Sequence, residues 1–147
     1  MLTVKDLLRM KAEGVWAVGP ETSTLNTLRF MAEKNVGALL VIEDGLMVGI
    51  VSERDFVYRI AQDHNLDLDA PIRDYMTSEV ITVSPETTIQ ECMQVMTDRR
   101  IRHLPVFSGE TLAGLVSIGD VVKGTIGEQS STINNLENYI MGTGYGQ

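Results

Sequence analysis

At 147 residues, 44% hydrophobic and 22% charged, the chain can bury a real core and is not a disordered segment. Twelve Lys and Arg against twenty Asp and Glu leave a net charge of −8, which opposes non-specific attraction to nucleic acid or to an anionic membrane. A single cysteine, Cys92, excludes an internal disulfide, and with His64 and His103 it makes no metal-ligand spacing, so no metal is predicted.

The first element is a short leading piece, Val4-Lys5-Asp6-Leu7-Leu8. Its neighbourhood carries Lys5, Asp6, Arg9, Lys11 and Glu13, which breaks any signal-peptide apolar region. Val15 to Val18 reads as an extended strand running into a Pro20-Glu21-Thr22 turn, with Thr22 as helix N-cap. Leu28, Met31 and Ala32 then recur at helical spacing. Two β runs follow, Ala38 to Ile42 and Met47 to Val51, joined by the hairpin link Glu43-Asp44-Gly45. A second helix starts at Ser52. The apolar runs Ala38 to Ile42 and Leu46 to Val51 fall far short of the roughly 20 residues a membrane helix needs. With one thiol, no signal-peptide apolar region and acids that weaken a transit-peptide reading, a reducing cytoplasm is the expected setting.

From Ala61 to Pro71 three Asp, a His and a Pro mark a linker. The pattern then repeats. Ile72-Arg73-Asp74-Tyr75-Met76 echoes the leading piece at an offset of 68, and residues 80 to 122 match residues 15 to 57 without a gap at an offset of 65, with thirteen of 43 positions identical. Val80 to Val83 is the second copy's strand, Thr87 its N-cap, Ile89, Cys92, Met93 and Met96 its helical stripe. Leu104 to Phe107 and Leu112 to Val116 are its hairpin, linked by Ser108-Gly109-Glu110, and its second helix starts at Ser117. The predicted architecture is therefore α/β in the α+β sense: two β-α-β-β-α repeats packed as one pseudo-two-fold module. The boundaries are 4–60, a linker at 61–71, 72–124, and a C-terminal helix with a flexible tail at 125–147. Ile126, Ile133 and Ile140, with Leu136, place an apolar stripe on that last helix, suited to an interface or to folding back on its own module.

Both second helices open alike, as Gly49-Ile50-Val51-Ser52-Glu53-Arg54-Asp55 and Gly114-Leu115-Val116-Ser117-Ile118-Gly119-Asp120. Two readings stand. Ser followed three residues later by an acid is close to a capping box, which needs no ligand. The same residues suit a nucleotide: the helix N-terminus and Ser hydroxyl can hold a phosphate, Asp can accept from the hydroxyls of a ribose, and the preceding Gly admits a ligand close to the backbone. Recurrence of the pair in register favours the second. The basic stretch Arg99 to His103 adds charge. Arg99 and Arg100 suit a helix C-terminus, whereas Arg102 and His103 stand at the start of a buried strand and call for an anionic partner. Their counterparts are Gly37 and Ala38, and Arg54 is opposed by Gly119, so the two sites differ in charge.

These motifs resemble the cystathionine β-synthase (CBS) domain family in its tandem form, and within it a group of stand-alone two-domain proteins. The resemblance implies two sheets that pack and leave two clefts, with adenosine ligands: AMP, ADP or ATP, with NADH or S-adenosylmethionine as further candidates. By it, Asp55 and Asp120 hold ribose, Ser52 and Ser117 phosphate, and Arg102, His103 and Arg54 further phosphate charge. Trp16, Ala17, Ile81 and Thr82 flank adenine. It also implies a homodimer that changes shape on binding and acts on an unidentified target protein; the charge and the short apolar runs argue against nucleic acid and membrane as partners.

A catalyst is not expected. Cys92 lies at an apolar helical position, His103 has no sequence partner to make it a base, and no phosphate loop or zinc-protease motif is present. The alternative to a nucleotide sensor is a ligand-independent interaction protein or a thioredoxin-type redox-partner regulator, the latter suggested by the resemblance alone.

Overall fold

A computed structural model of the chain describes residues 1–11 and 14–128. It is a mixed α/β structure with two repeats. In chain order its elements are α1 (Val4–Met10), β1 (Ala17–Val18), α2 (Thr24–Lys34), β2 (Ala38–Glu43), β3 (Leu46–Ser52), α3 (Glu53–Asp63), a 3-10 turn (Ile72–Asp74), α4 (Ile89–Arg99), β4 (His103–Ser108) and β5 (Thr111–Ser117). Residues 118–128 are helical and are called α5. The predicted stripe residues Ile133, Leu136 and Ile140 lie outside the described residues.

The described residues form two compact units that do not coincide with the two sequence copies. Residues 14–80 make one, the Asp55 unit; residues 1–11 with 81–128 make the other, the Asp120 unit. Each copy's leading piece has thus been exchanged. Val4 and Leu7 of α1 are buried with Ile89, Cys92, Leu104 and Val116 of the second copy, while Ile72 is buried with Met31, Leu39, Val41 and Val51 of the first. Backbone bonds fix both exchanges: Val4 N donates to Thr87 O and Lys5 N to Pro85 O, as Ile72 N does to Thr22 O and Arg73 N to Pro20 O.

In the Asp55 unit β1 runs parallel to β2, and β2 antiparallel to β3, with Ala38 opposite Ser52. In the Asp120 unit β4 and β5 pair with His103 opposite Ser117. The strand expected over Val80 to Val83 is reduced to one bridge, Val83 to Val106. The hairpins carry register shifts at equivalent places, Val41/Ile42 and Val106/Phe107. At the first turn Asp44 and Gly45 take positive φ, 52° and 80°, as a tight hairpin with the right twist requires.

The helix caps sit one residue later than the sequence predicts. Pro-Glu-Thr closes a turn, with Thr22 N bonded to Gly19 O and Thr87 N to Ser84 O, so Ser23 and Thr88 become the N-caps and accept from Asn26 N and Glu91 N, each at 3.1 Å. Thr87 instead turns its hydroxyl to Ser84 N. Arg99 ends α4 and Arg100 caps it in the left-handed conformation, matching Asn35 after α2. α3 continues to Asp63, into the acidic stretch read as linker, and that stretch is tied to α2: Ala70 O accepts from Thr24 N and Leu68 O from Leu25 N.

Gly49 and Gly114 are explained by the exchanged pieces and not by a ligand. A Cβ on Gly49 would lie 2.7 Å from Met76 Sδ and 2.8 Å from Thr77 O; one on Gly114 would lie 2.7 Å from Leu8 Cδ2. Thr77 is paired with Ile50 through two backbone bonds and cannot retreat cheaply, whereas a leucine methyl can rotate. Gly49→Ala is therefore expected to destabilise the fold by about 1–3 kcal/mol, and Gly114→Ala by distinctly less. Urea midpoints of the two variants check this; equal losses would contradict it.

Candidate functional site

Each candidate site is built where a hairpin's second strand ends and the next helix begins. The carbonyl just before the first strand meets the first helical amide: Glu53 N donates to Gly37 O at 3.0 Å and Ile118 N to Arg102 O at 2.8 Å. The N-cap amides turn to the carboxylates, Ser52 N to Asp55 Oδ2 at 2.7 Å and Ser117 N to Asp120 Oδ2 at 2.8 Å. In return Asp120 N donates to Ser117 Oγ at 3.2 Å, while Ser52 Oγ lies 3.2 Å from Asp55 Oδ2. Both pairs are capping boxes that use Asp where Glu or Gln is usual.

A third box was not singled out in the sequence. Thr3 N donates to Asp6 Oδ2 at 2.9 Å and Thr3 Oγ1 to the same oxygen at 3.2 Å, closing the start of α1. Thr3-Val4-Lys5-Asp6 carries the same spacing without the preceding Gly, so the signal was present. Its existence shows that hydroxyl-x-x-Asp is a general capping device in this chain. Recurrence of the Ser/Asp pair alone therefore does not separate a ligand site from a cap.

What separates the three is the rest of each carboxylate. Asp55 Oδ1 accepts from Thr77 Oγ1 at 3.2 Å. Asp120 Oδ2 lies 2.9 Å from Lys11 Nζ, which also donates to Leu115 O at 2.8 Å. Burial alone would raise the pKa of Asp120, but the Ser117 amide and the Lys11 ammonium outweigh it and hold the carboxyl below its ordinary value.

The other predicted site residues divide between the units. The Asp55 unit holds Trp16, Ala17, Ser52, Arg54 and Asp55; the Asp120 unit holds Ile81, Thr82, Arg102, His103, Ser117 and Asp120. His103 faces Ser117 across the ladder and Arg102 abuts Ile118, where the Asp55 unit has Ala38 and Gly37. The predicted charge asymmetry is therefore built into equivalent backbone. The reason given for Arg102 changes, however: it is exposed, so burial does not oblige it to find an anion. Arg54 is exposed too and turns along α3, its Nη2 bonded to Tyr58 Oη at 2.7 Å. Trp16 packs edge-on to Phe30, centroids 6.0 Å apart, with Lys34 Nζ 4.4 Å over its ring. Ile81 packs on the core, Ala17 pairs with Leu40, and Thr82 is exposed.

Cys92 is fully buried, and burial together with Glu91 pushes its thiol pKa up, which disfavours the nucleophilic thiolate. A shallow cavity of about 350 Å³ in the Asp120 unit, lined by Lys5, Arg9 and Glu86 among others, contains none of the predicted site residues. Among the described residues no group of three or more His, Cys, Asp or Glu could hold a metal, and no described helix is long and apolar enough to cross a membrane.

The CBS-domain family profile matches residues 4–62 and 72–126. The chain is 38% identical over 149 residues to the CBS domain-containing protein CBSX3, mitochondrial, of Arabidopsis thaliana, covering 95% of this chain and 72% of that protein. Among solved structures, a CBS-domain-containing protein from Agrobacterium tumefaciens is 37% identical with a TM-score of 0.80, over 84% of this chain and 99% of that one. The structure of CBSX2 in complex with AMP is 26% identical with a TM-score of 0.74, over 88% and 99%.

The depressed pKa of Asp120 fixes a pH dependence. Its contribution to stability is complete above the unfolded value of about 3.9 and is lost as pH falls through the lower folded value. Urea unfolding at neutral pH and near pH 3 should show the parent losing more stability than Asp120→Asn, which keeps an acceptor but cannot ionise. Equal losses would remove Asp120 from the acid response.

Proposed function

This chain belongs to the CBS-domain family, and from that premise we propose that it is an adenosine-nucleotide sensor that changes conformation on binding and acts on a separate protein. Asp55 and Asp120 are the ribose acceptors, and Ser52 and Ser117, at the N-termini of the helices they cap, receive phosphate. Arg102 and His103 add charge on the Asp120 side and Arg54 on the Asp55 side. Ala17 and Thr82, with Trp16 and Ile81 behind them, flank the base. The observation that carries this reading is that capping engages Oδ2 of both aspartates, while Asp55 Oδ1 accepts from the exposed Thr77 hydroxyl at 3.2 Å, a neutral donor that a ribose hydroxyl can replace.

AMP is the first ligand to try, because CBSX2, a structural neighbour, was solved with it; ADP, ATP, NADH and S-adenosylmethionine follow. No catalytic role is assigned to any residue. A homodimer is supported by exposed Val57, Tyr58 and Ile60 on α3 and Ile118, Val122 and Ile126 on α5. The cytoplasm remains the expected setting.

The second reading, a ligand-independent interaction protein or thioredoxin-type regulator, is favoured by one observation: the Thr3/Asp6 box shows this chain using the same spacing purely as a cap. Calorimetry separates the two. On the sensor reading AMP binds the parent, and Asp55→Ala or Asp120→Ala each weakens one site by about tenfold or more, since a hydrogen bond to a charged group contributes about 1.5–3 kcal/mol. Both variants keep the fold, the lost cap costing only about 0.5–2 kcal/mol. No heat with any adenosine compound, with the target protein captured equally with and without AMP, selects the second reading.

A further inference from the structure

The β4–β5 hairpin of the Asp120 unit has two ends. His103 and Ser117 pair at the end that carries the candidate nucleotide site, and Ser108 and Thr111 pair at the other, beside the turn. The cavity of about 350 Å³ is lined from that far end by Ser108 and Ala113. Its volume falls within the roughly 300–1,000 Å³ that ligand pockets span. Leu8 of α1 and Pro85 add to the apolar surface of Ala113. Lys5 and Arg9, about one turn apart on α1, bring two cations to it, and Glu86 one carboxylate.

The Asp55 unit supplies an internal comparison. At the offsets of 68 and 65 that relate the copies, Lys5 stands opposite Arg73 and Arg9 opposite Thr77, while Glu86 stands opposite Glu21 and Ser108 opposite Glu43. Two cations against one carboxylate in one unit become one cation against two carboxylates in the other. That one cation is engaged, since Arg73 is paired with Glu21. Neighbouring acids do not cancel the difference: Asp6 is matched by Asp74, and Glu110 at one hairpin turn by Asp44 at the other. The helix dipole favours Arg9 in the last turn of α1 but disfavours Lys5 in the first.

We infer that this cavity is a second ligand site, for a small organic anion: a phosphate or carboxylate head held by Lys5, Arg9 and the Ser108 hydroxyl, on an apolar stem that lies against Leu8, Pro85 and Ala113. A guanidinium fork beside an ammonium point charge is the donor pair such oxyanions take. Glu86 repels a second negative group, so the site selects an anion charged at one end only. The inference is independent of the nucleotide reading, because none of these residues is assigned there to ribose, phosphate or base.

Phenyl phosphate and benzoate are the probes, titrated separately into the full chain and followed through its backbone amide NMR shifts. Saturable shifts at Lys5, Arg9, Ser108 and Ala113 are expected with at least one probe, and the tighter of the two identifies the head group. Arg9→Thr with Ser108→Glu installs the residues of the Asp55 unit at two exposed positions and should weaken binding about tenfold or more, as should Lys5→Gln. Arg29→Thr with Asn26→Glu makes the same change of net charge at exposed positions of α2 and should leave affinity unchanged. Shifts that do not saturate with either probe, or equal weakening by the α2 variant, overturn the site and leave the sensor reading untouched.

Discussion

A helix that begins with Ser-x-x-Asp needs one carboxylate oxygen to satisfy its N-cap amide, and a carboxylate has two. That surplus is the constraint from which the site follows. At Asp55 and Asp120 the Ser52 and Ser117 amides take Oδ2 at 2.7 and 2.8 Å, so Oδ1 is the oxygen that the N-cap amide does not engage. Capping and recognition are therefore not rival explanations of these residues. The cap orients the carboxylate, and the remaining oxygen is what a sugar could use. The carbonyls of Gly37 and Arg102 set this arrangement by closing the first helical amides, so the start of each hairpin positions the helix that follows it.

The exchange of leading pieces is the second organising feature. α1 is buried among residues of the second copy, and the 3-10 turn at Ile72 among those of the first. This places Thr77 on Asp55 and Lys11 on Asp120. A near-symmetric repeat thus places its two equivalent aspartates in unequal surroundings: one carboxylate meets a hydroxyl and the other an ammonium. The strand starts add to the difference, with Ala38 beside Ser52 and His103 beside Ser117.

Most of the fold could be read from the sequence because the repeat is ungapped and its periodicities are local. The helical stripe Ile89, Cys92 and Met96 is buried as read, both hairpins form where the β runs were read, and Arg99 and Arg100 end α4. What could not be read depends on contacts between distant parts of the chain. Gly49 and Gly114 looked like room for a ligand, but Met76, Thr77 and Leu8 fill that room. Arg102 looked buried because the strand behind it is, yet it lies exposed just before β4. The N-caps moved by one residue because the Pro-Glu-Thr turn closes on the amides of Thr22 and Thr87. Lys11 was only one charge among several in a charged segment, since nothing local pairs it with a residue more than a hundred positions away.

The most direct measurement is a crystal structure of the protein grown with AMP. The account predicts a ribose hydroxyl within about 2.5–3.0 Å of the Oδ1 of Asp55, with the bond from Ser52 N to Oδ2 retained. A ribose bound elsewhere, or a carboxylate that must abandon its cap to reach the sugar, would contradict it.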